Sequence, residues 1–171
     1  VGAFPGSAYV CCRKDILESL TSDQCKNVYL NLYKHYQSAK TTHQTPNTPN
    51  VNLFWPLNQA LKEIIDEQTL AGRIARYQRC SKIIRDGLRK LGLKFLLKDE
   101  QCSNTVTTVF LPEGKDAKSF ISAMEKKGYT FYLGKGDYAN MGGIQVANMG
   151  EIYEDDCYEM LKVFEETLKT V

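Results

Sequence analysis

Apolar residues recur along most of this chain at helical spacing. Apolar side chains at three- and four-residue intervals predict a helix that starts near Leu53 and buries one face. That face carries Phe54, Leu57, Leu61, Ile64 and Ile65. Pro56 is tolerated only in a first turn, which supports this start. The longest helix is predicted over residues 69–91, where Gly92 supplies a stop. Its other faces are basic and predict a solvated surface: Arg73, Arg76, Arg79, Lys82, Arg85 and Arg89.

The second half of the chain alternates between strand-like and helical patterns. Strands are predicted over 93–97, 105–111, 129–133 and 143–148. The segment 105–111 is the strongest of them, because it is rich in β-branched residues. Helices are predicted over 116–127 and 155–169, where apolar residues return to helical spacing. This order predicts an α+β fold in which helices pack on one face of a small sheet.

The first third of the chain is less regular. Residues 7–13, SAYVCCR, predict a buried strand, followed by a helical turn over 15–20 and a helix over 28–37. Residues 38–52 are polar and contain the run TPNTPN, whose two prolines exclude a regular helix. The pattern changes near residues 66–70, which predicts one part over 1–68 and a second over 69–171.

Composition and charge exclude several classes of function. Lys and Arg number 22 against 20 Asp and Glu, giving a net charge of +2, so no nucleic-acid partner is expected. No apolar run reaches the roughly 18 residues that a membrane span needs, so no membrane partner is expected. The six cysteines form no Cys-x-x-Cys pair, and with only two histidines no metal site is predicted. We expect reduced thiols in a cytoplasmic protein.

Two segments could carry chemistry. In the TPNTPN run, hydroxyl and N–H groups near a helix N-terminus suit a phosphate, although a capped surface turn explains the same residues. Gly134-Lys135-Gly136 and Gly142-Gly143 flank a loop where a ligand could approach the backbone, but neither matches a P-loop. A cysteine–histidine protease pair has no support in the spacing. The paired carboxylates of the last helix are typical of helix surfaces.

Several stretches together resemble the class V aminotransferases that use pyridoxal phosphate, of fold type I. They are FPG at residues 4–6, TPNTPN followed by FWPLNQALKEI, GLRKLGLKFLL, KKGYTFYLGK and IQVANMGEIYEDD, in the family's order over almost the whole chain. The subgroups most like it are the 2-aminoethylphosphonate–pyruvate and alanine–glyoxylate aminotransferases. The resemblance implies an enzyme that uses pyridoxal 5'-phosphate to move an amino group from an amine donor, such as 2-aminoethylphosphonate, to a 2-oxo acid such as pyruvate.

The resemblance also implies site residues. The lysine that forms the Schiff base with the cofactor is expected upstream of Val1. No catalytic residue is therefore expected in these 171 residues, and the chain alone is expected to be inactive. Thr48, beside Asn47, matches the threonine that reaches into a neighbouring subunit and binds the cofactor phosphate. A second threonine of that pattern is Val51 here.

Gln145 departs from the family pattern. It occupies the position at which the family usually has an arginine that binds the substrate carboxylate. A neutral amide can donate a hydrogen bond to a carboxylate but supplies no charge, so substrate binding is expected to differ.

The resemblance gives both parts of the chain an identity. Residues 1–68 would be the tail of the large cofactor-binding domain with an interdomain helix. Residues 69–171 would be the small C-terminal domain. The parent would be a homodimer, and its small-molecule partners would be an amino donor and a 2-oxo acid. Two other readings stay open: a non-catalytic α+β small-molecule-binding or regulatory module, and a structural subunit of a larger assembly. The parent coding sequence separates them, because only the enzyme needs an upstream lysine.

Overall fold

The computed structural model describes residues 2–6 and 8–171, and the chain divides into two compact units. The first unit covers residues 1–63 and the second covers 64–171. The first unit contains helices α1 (Lys14–Ser19), α2 (Leu32–Thr41) and α3 (Val51–Lys62). A π-helical stretch, Glu63–Gln68, follows α3.

Helix α2 begins four residues later than its apolar pattern predicts. Two asparagine side chains fix this boundary. The side chain of Asn27 accepts hydrogen bonds from the N–H groups of Tyr29 and Leu30, which holds a turn at the predicted start. The side chain of Asn31 accepts one from the N–H of Lys34 at 2.8 Å and caps the helix.

The strand predicted over 7–13 is wrong as far as the structure describes it. Residues 8–13 belong to no strand, and Ser7 lies outside the described residues. Cys11 and Cys12 are exposed rather than buried. A strand is defined by pairing with a neighbour, and a run of suitable residues does not supply one.

The predicted apolar face, which runs through α3 into the π-helical stretch, is only partly covered within the described chain. Leu57 and Ile64 are buried, whereas Phe54, Leu61 and Ile65 are exposed. Helical periodicity shows which face is apolar but does not identify what packs on it. Pro56 lies in the second turn of α3, later than predicted.

The second unit is built on a four-stranded antiparallel sheet. Its strands are β1 (Lys94–Phe95), β2 (Val106–Phe110), β3 (Tyr132–Leu133) and β4 (Gly143–Ala147), in the spatial order β1-β2-β4-β3. The helices are α4 (Leu70–Lys90), α5 (Ala117–Lys126), α6 (Asp137–Asn140) and α7 (Glu154–Thr170). A short 3-10 helix, Asp99–Gln101, lies between β1 and β2. All four predicted strands form, with β1 and β3 shorter than predicted.

The core of the second unit lies on one face of this sheet. Val109 of β2 and Ile144 and Val146 of β4 turn to that face and are buried. Helices α4, α5 and α7 supply most of the other members of the cluster, among them Cys80, Ile84, Leu88, Phe120, Met124, Cys157, Met160 and Phe164. The predicted α+β architecture, with helices on one face of a small sheet, is confirmed.

Two of the six basic residues predicted to form a solvated face of α4 are buried. Arg73 and Arg76 are 9% and 5% exposed. The Arg76 Nη1 donates to the carbonyl oxygens of Gly150 and Ile152, the first at 3.0 Å. Its guanidinium also lies 4.9 Å from the ring centroid of Tyr153. These carbonyl and aromatic groups stabilise the charge, whereas the buried Nε has no hydrogen-bond partner among the described residues. No pattern local to α4 indicates the carbonyl partners.

Candidate functional site

The second unit leaves one face of its sheet free of the core helices. We call this the open face, defined by the strand residues that share a face with Gln145 in the strand register: Lys94, Val106, Thr108, Phe110, Tyr132, Gly143, Gln145 and Ala147. Of these, only Gly143 is buried. Side chains on a strand alternate between the two faces, so burial of Ile144 and Val146 places Gln145 outward.

Gln145 lies at the centre of the open face. Its register partners are Thr108 on β2 and Tyr132 on β3. Directly opposed residues of antiparallel strands bring their Cβ atoms to about 5 Å, so the three side chains form one polar row. Gln145 and Thr108 are half-buried, and Tyr132 is 68% exposed. A ligand that reaches Gln145 therefore also meets two hydroxyl groups.

The glycine-flanked loop of residues 134–143 forms the edge of the open face. The Gly134 N–H donates to the Gly143 carbonyl at 2.7 Å, which closes the loop around α6. A Cβ on Gly143 would lie 2.6 Å from the Tyr138 carbonyl oxygen, so only glycine fits there. The rings of Tyr138 and Phe110 lie beside each other, with centroids 6.5 Å apart. The backbone at Gly143 therefore packs directly against the backbone at Tyr138. The Tyr138–Phe110 aromatic pair lies next to the polar row.

The TPNTPN run of the first unit forms a shallow, open depression ahead of α3. It is lined by Tyr29, Gln44, Thr45, Pro46, Asn47, Thr48 and Pro49. The Thr45 hydroxyl donates to the Asn47 carbonyl at 2.7 Å and fixes the turn. The Asn47 Nδ2 is buried and has no hydrogen-bond partner among the described residues, and Thr48 is exposed. An unpartnered amide donor beside an exposed hydroxyl fits an oxyanion such as a phosphate.

The predicted site residues thus occur in two places. Asn47 and Thr48 share one loop of the first unit, and Gln145 lies on the open face of the second unit. Sequence reasoning missed Thr108 and Tyr132. Their position beside Gln145 depends on strand register, and no local signal in the sequence gives the pairing.

Asp116 and Cys157 are two of the five described ionisable groups of the second unit whose pKa values are shifted. Hydrogen bonds from the Ser119 hydroxyl and then its backbone N–H hold the pKa of the Asp116 carboxyl below its ordinary value. Burial raises the pKa of the Cys157 thiol to about 12, and the neighbouring Cys80 adds to the shift. Neither group lies on the open face, so both shifts concern the fold.

Residues 2–6 and 8–171 contain neither a candidate metal cluster nor a candidate membrane-spanning helix. That part of the chain has no group of three or more His, Cys, Asp or Glu side chains placed to hold a metal ion. It also has no helix of the length and apolarity needed to cross a bilayer.

Comparison with known proteins gives consistent relatives. No family model matches the chain. It is 28% identical over 169 residues to the 2-aminoethylphosphonate–pyruvate transaminase of Phocaeicola vulgatus, covering 98% of this chain and 45% of that protein. An uncharacterized aminotransferase of Methanocaldococcus jannaschii is 32% identical over 173 residues, covering 99% of this chain and 44% of that protein.

The fold has a solved counterpart. The crystal structure of alanine–glyoxylate aminotransferase from Nostoc sp. matches with a TM-score of 0.73 at 23% identity, covering 84% of this chain and 38% of that one. The chain therefore spans less than half the length of the relatives it matches.

Proposed function

This chain is related to the class V aminotransferases of fold type I, and we propose that it is the C-terminal part of an enzyme that moves an amino group from an amine donor to a 2-oxo acid. The observation that carries the proposal is similarity over 98% of the chain to a 2-aminoethylphosphonate–pyruvate transaminase. That relative's name makes 2-aminoethylphosphonate and pyruvate the first donor and acceptor to test.

Pyridoxal phosphate is the cofactor that this function requires, and the TPNTPN loop fits its phosphate. Bound pyridoxal phosphate supplies an electron sink that lets an amino group leave one carbon skeleton and join another. The Asn47 Nδ2, buried without a partner in the described chain, would donate to a phosphate oxygen. The Thr48 hydroxyl lies exposed beside it. In the proposed homodimer, this loop serves the site of the neighbouring subunit.

The open face supplies the substrate-binding role. Gln145 would orient the substrate by hydrogen bonds from its amide, in place of the charge that an arginine supplies. The lysine that holds the cofactor lies upstream of these residues in this proposal. The 171 residues alone would then bind no cofactor covalently and transfer no amino group.

The test of the overall function uses the full-length parent protein, loaded with pyridoxal phosphate. We expect a visible absorbance band that borohydride abolishes, and formation of alanine from pyruvate when 2-aminoethylphosphonate is added. The 171-residue chain should give no stoichiometric band. If the full-length protein shows neither a lysine-bound cofactor nor alanine formation, the non-catalytic module replaces the enzyme as the explanation.

The test of the phosphate loop uses two asparagines of the same repeat. Asn47→Asp replaces the unpartnered amide donor by a carboxylate. Cofactor affinity should fall about 10- to 100-fold, because one charge-assisted hydrogen bond to the phosphate is lost. Asn50→Asp is the matched control, because Asn50 is exposed and its side chain does not cap α3. Equilibrium dialysis measures both. Equal affinities for the two variants would remove Asn47 from the site.

A further inference from the structure

A cavity of about 250 Å³ lies beside the N-terminal half of α7, apart from both candidate sites. Its floor is formed by Ile84 of α4, Val146 of β4 and Met160 of α7, which are buried members of the core cluster. The cavity therefore lies on the core side of the sheet, and only residues of the second unit line it. Protein interiors rarely leave voids much larger than a water molecule, so a space of this size is suited to a ligand.

The wall of the cavity changes from apolar to acidic toward the solvent. Phe131 and Cys157 are buried like the floor, whereas Asp156 is exposed. Of the eleven residues that line the cavity, Asp156 alone is charged. Its carboxylate accepts a hydrogen bond from the Tyr153 N–H at 2.8 Å and forms no ion pair among the described residues. The outer end of the cavity thus presents a negative charge above an apolar floor.

Tyr129 joins the acidic end of the cavity to its apolar wall. It is half-buried and lines the cavity. Burial, followed by the charges of Glu159 and Asp156, raises the pKa of the Tyr129 hydroxyl. Two carboxylates therefore lie near this side chain. An aromatic ring beside carboxylates attracts an organic cation, because the face of the ring and the carboxylates are both negative.

The volume of the cavity sets the size of its ligand. An apolar cavity of about 150 Å³ binds benzene, so 250 Å³ accommodates about ten non-hydrogen atoms. We propose that this cavity binds a small aromatic amine in its protonated form, with the ring against Ile84 and Met160 and the ammonium group beside Asp156 and Tyr129. The Met160 sulfur favours an aromatic ring over an aliphatic body. A carboxylate or phosphonate would meet Asp156 as a like charge, so the donor and acceptor of the proposed function are not its ligands.

The experiment compares three probes of equal size in the full-length parent protein, by saturation-transfer NMR titration. N,N-dimethylbenzylamine is the cation, and as a tertiary amine it forms no Schiff base with a cofactor. 2-Phenylacetamide is its neutral counterpart, and phenylacetate is the anion. We expect the amine to bind with a Kd of about 1 mM, about 5- to 10-fold more tightly than the amide, because Tyr129 and Asp156 each add a modest attraction for a cation. Phenylacetate should bind more weakly than both, and tetramethylammonium, which lacks the ring, should show no saturable binding.

Variants of α7 assign the binding to this cavity. Asp156→Asn removes the charge but keeps an oxygen that can accept from the Tyr153 N–H, and it should weaken amine binding about 5-fold while leaving 2-phenylacetamide unchanged. Asp155→Asn is the matched control, because Asp155 is the exposed neighbour in the same helical turn and does not line the cavity. It should leave both affinities unchanged. Glu159→Gln, on the exposed surface near Tyr129, should weaken amine binding about 2-fold and provides a second charge variant.

Three results would overturn this site: no saturable binding of the amine, tighter binding of phenylacetate than of the amine, or equal loss of amine affinity in Asp156→Asn and Asp155→Asn. Melting curves of the variants without ligand show that each is folded, and Glu159→Gln takes the place of Asp156→Asn if that protein unfolds. None of these measurements depends on amino transfer. A parent protein without a cofactor band or alanine formation would remove the proposed function and leave this cavity and its ligand class in place.

Discussion

Replacing Phe164 by alanine should severely destabilise the second unit. Phe164 of α7 is fully buried, and its ring centroid lies 4.6 Å from that of Phe120 and 6.0 Å from that of Phe131. Truncating a buried phenylalanine costs about 3–5 kcal/mol, because transfer energy is lost and the surrounding core closes the cavity only in part. Loss of two aromatic pairs favours the upper half of that range. Small domains are stable by only about 5–15 kcal/mol, so the variant should approach the limit of folding.

Equilibrium urea unfolding measures this loss, with hydrogen exchange of the β2 and β4 amides to assign it to the second unit. Phe164→Leu preserves most of the volume and should cost less than about 1.5 kcal/mol. Tyr158→Ala is the matched control, because Tyr158 lies on the same helix and is 59% exposed. It should stay within about 0.5 kcal/mol of the wild type. If Phe164→Ala loses less than about 1 kcal/mol, or no more than Tyr158→Ala, the described core is wrong.

Three further predictions concern the second unit. An added Cβ on Gly87 of α4 would overlap the side chain of Leu161, so Gly87→Ala should destabilise the wild type by about 1 kcal/mol. In a Leu161→Ala variant the overlap is absent, and the same change should stabilise the protein by a similar amount, because alanine favours a helix more than glycine does. Urea unfolding of the wild type, the two single variants and the double variant measures both effects. Asp116→Ala should lower the melting temperature at pH 7. The lowered pKa of Asp116 means that its contribution is full above the ordinary carboxyl pKa and is lost as pH falls through the folded value, so melting curves of the two proteins should converge in acid. Because burial raises the pKa of Cys157 to about 12 from 9.0, the folded state disfavours its thiolate; stability should fall as pH rises from 9 toward 12, and less steeply in Cys157→Ala. A Cys157→Ala variant with the wild-type alkaline profile would contradict this assignment.

Much of the second unit follows from patterns local in sequence. Helices α4, α5 and α7 form where the apolar spacing and caps predict them, and Asp116 caps α5 through the Ser119 N–H as its position suggests. Burial of Arg76 does not follow, because its partners lie more than 70 residues away. The row of Thr108, Gln145 and Tyr132 also depends on contacts between residues that are distant in sequence. Gln145 is identified by resemblance, but Thr108 and Tyr132 join it only through strand pairing.

The first unit shows a different limit. A pattern such as SAYVCCR states a preference for extended backbone, and the hydrogen-bond partner that would make it a strand is not encoded within those residues. The shift of α2 has a local cause, the competition between apolar periodicity and the Asn31 cap, and the cap determines the first turn. The unpartnered Asn47 Nδ2 could not be identified from the TPNTPN run alone, because the hydrogen-bond partners of a side chain depend on the folded chain around it.

Alternate residues of strand β4 face the core and the open face of the sheet. Ile144 and Val146 hold the strand in the core, while Gln145 between them lies on the other face and is half-buried. In the proposed enzyme, a change at residue 145 would therefore alter substrate recognition without disturbing the core. A single substitution there would then change the selectivity of that enzyme at little cost in stability.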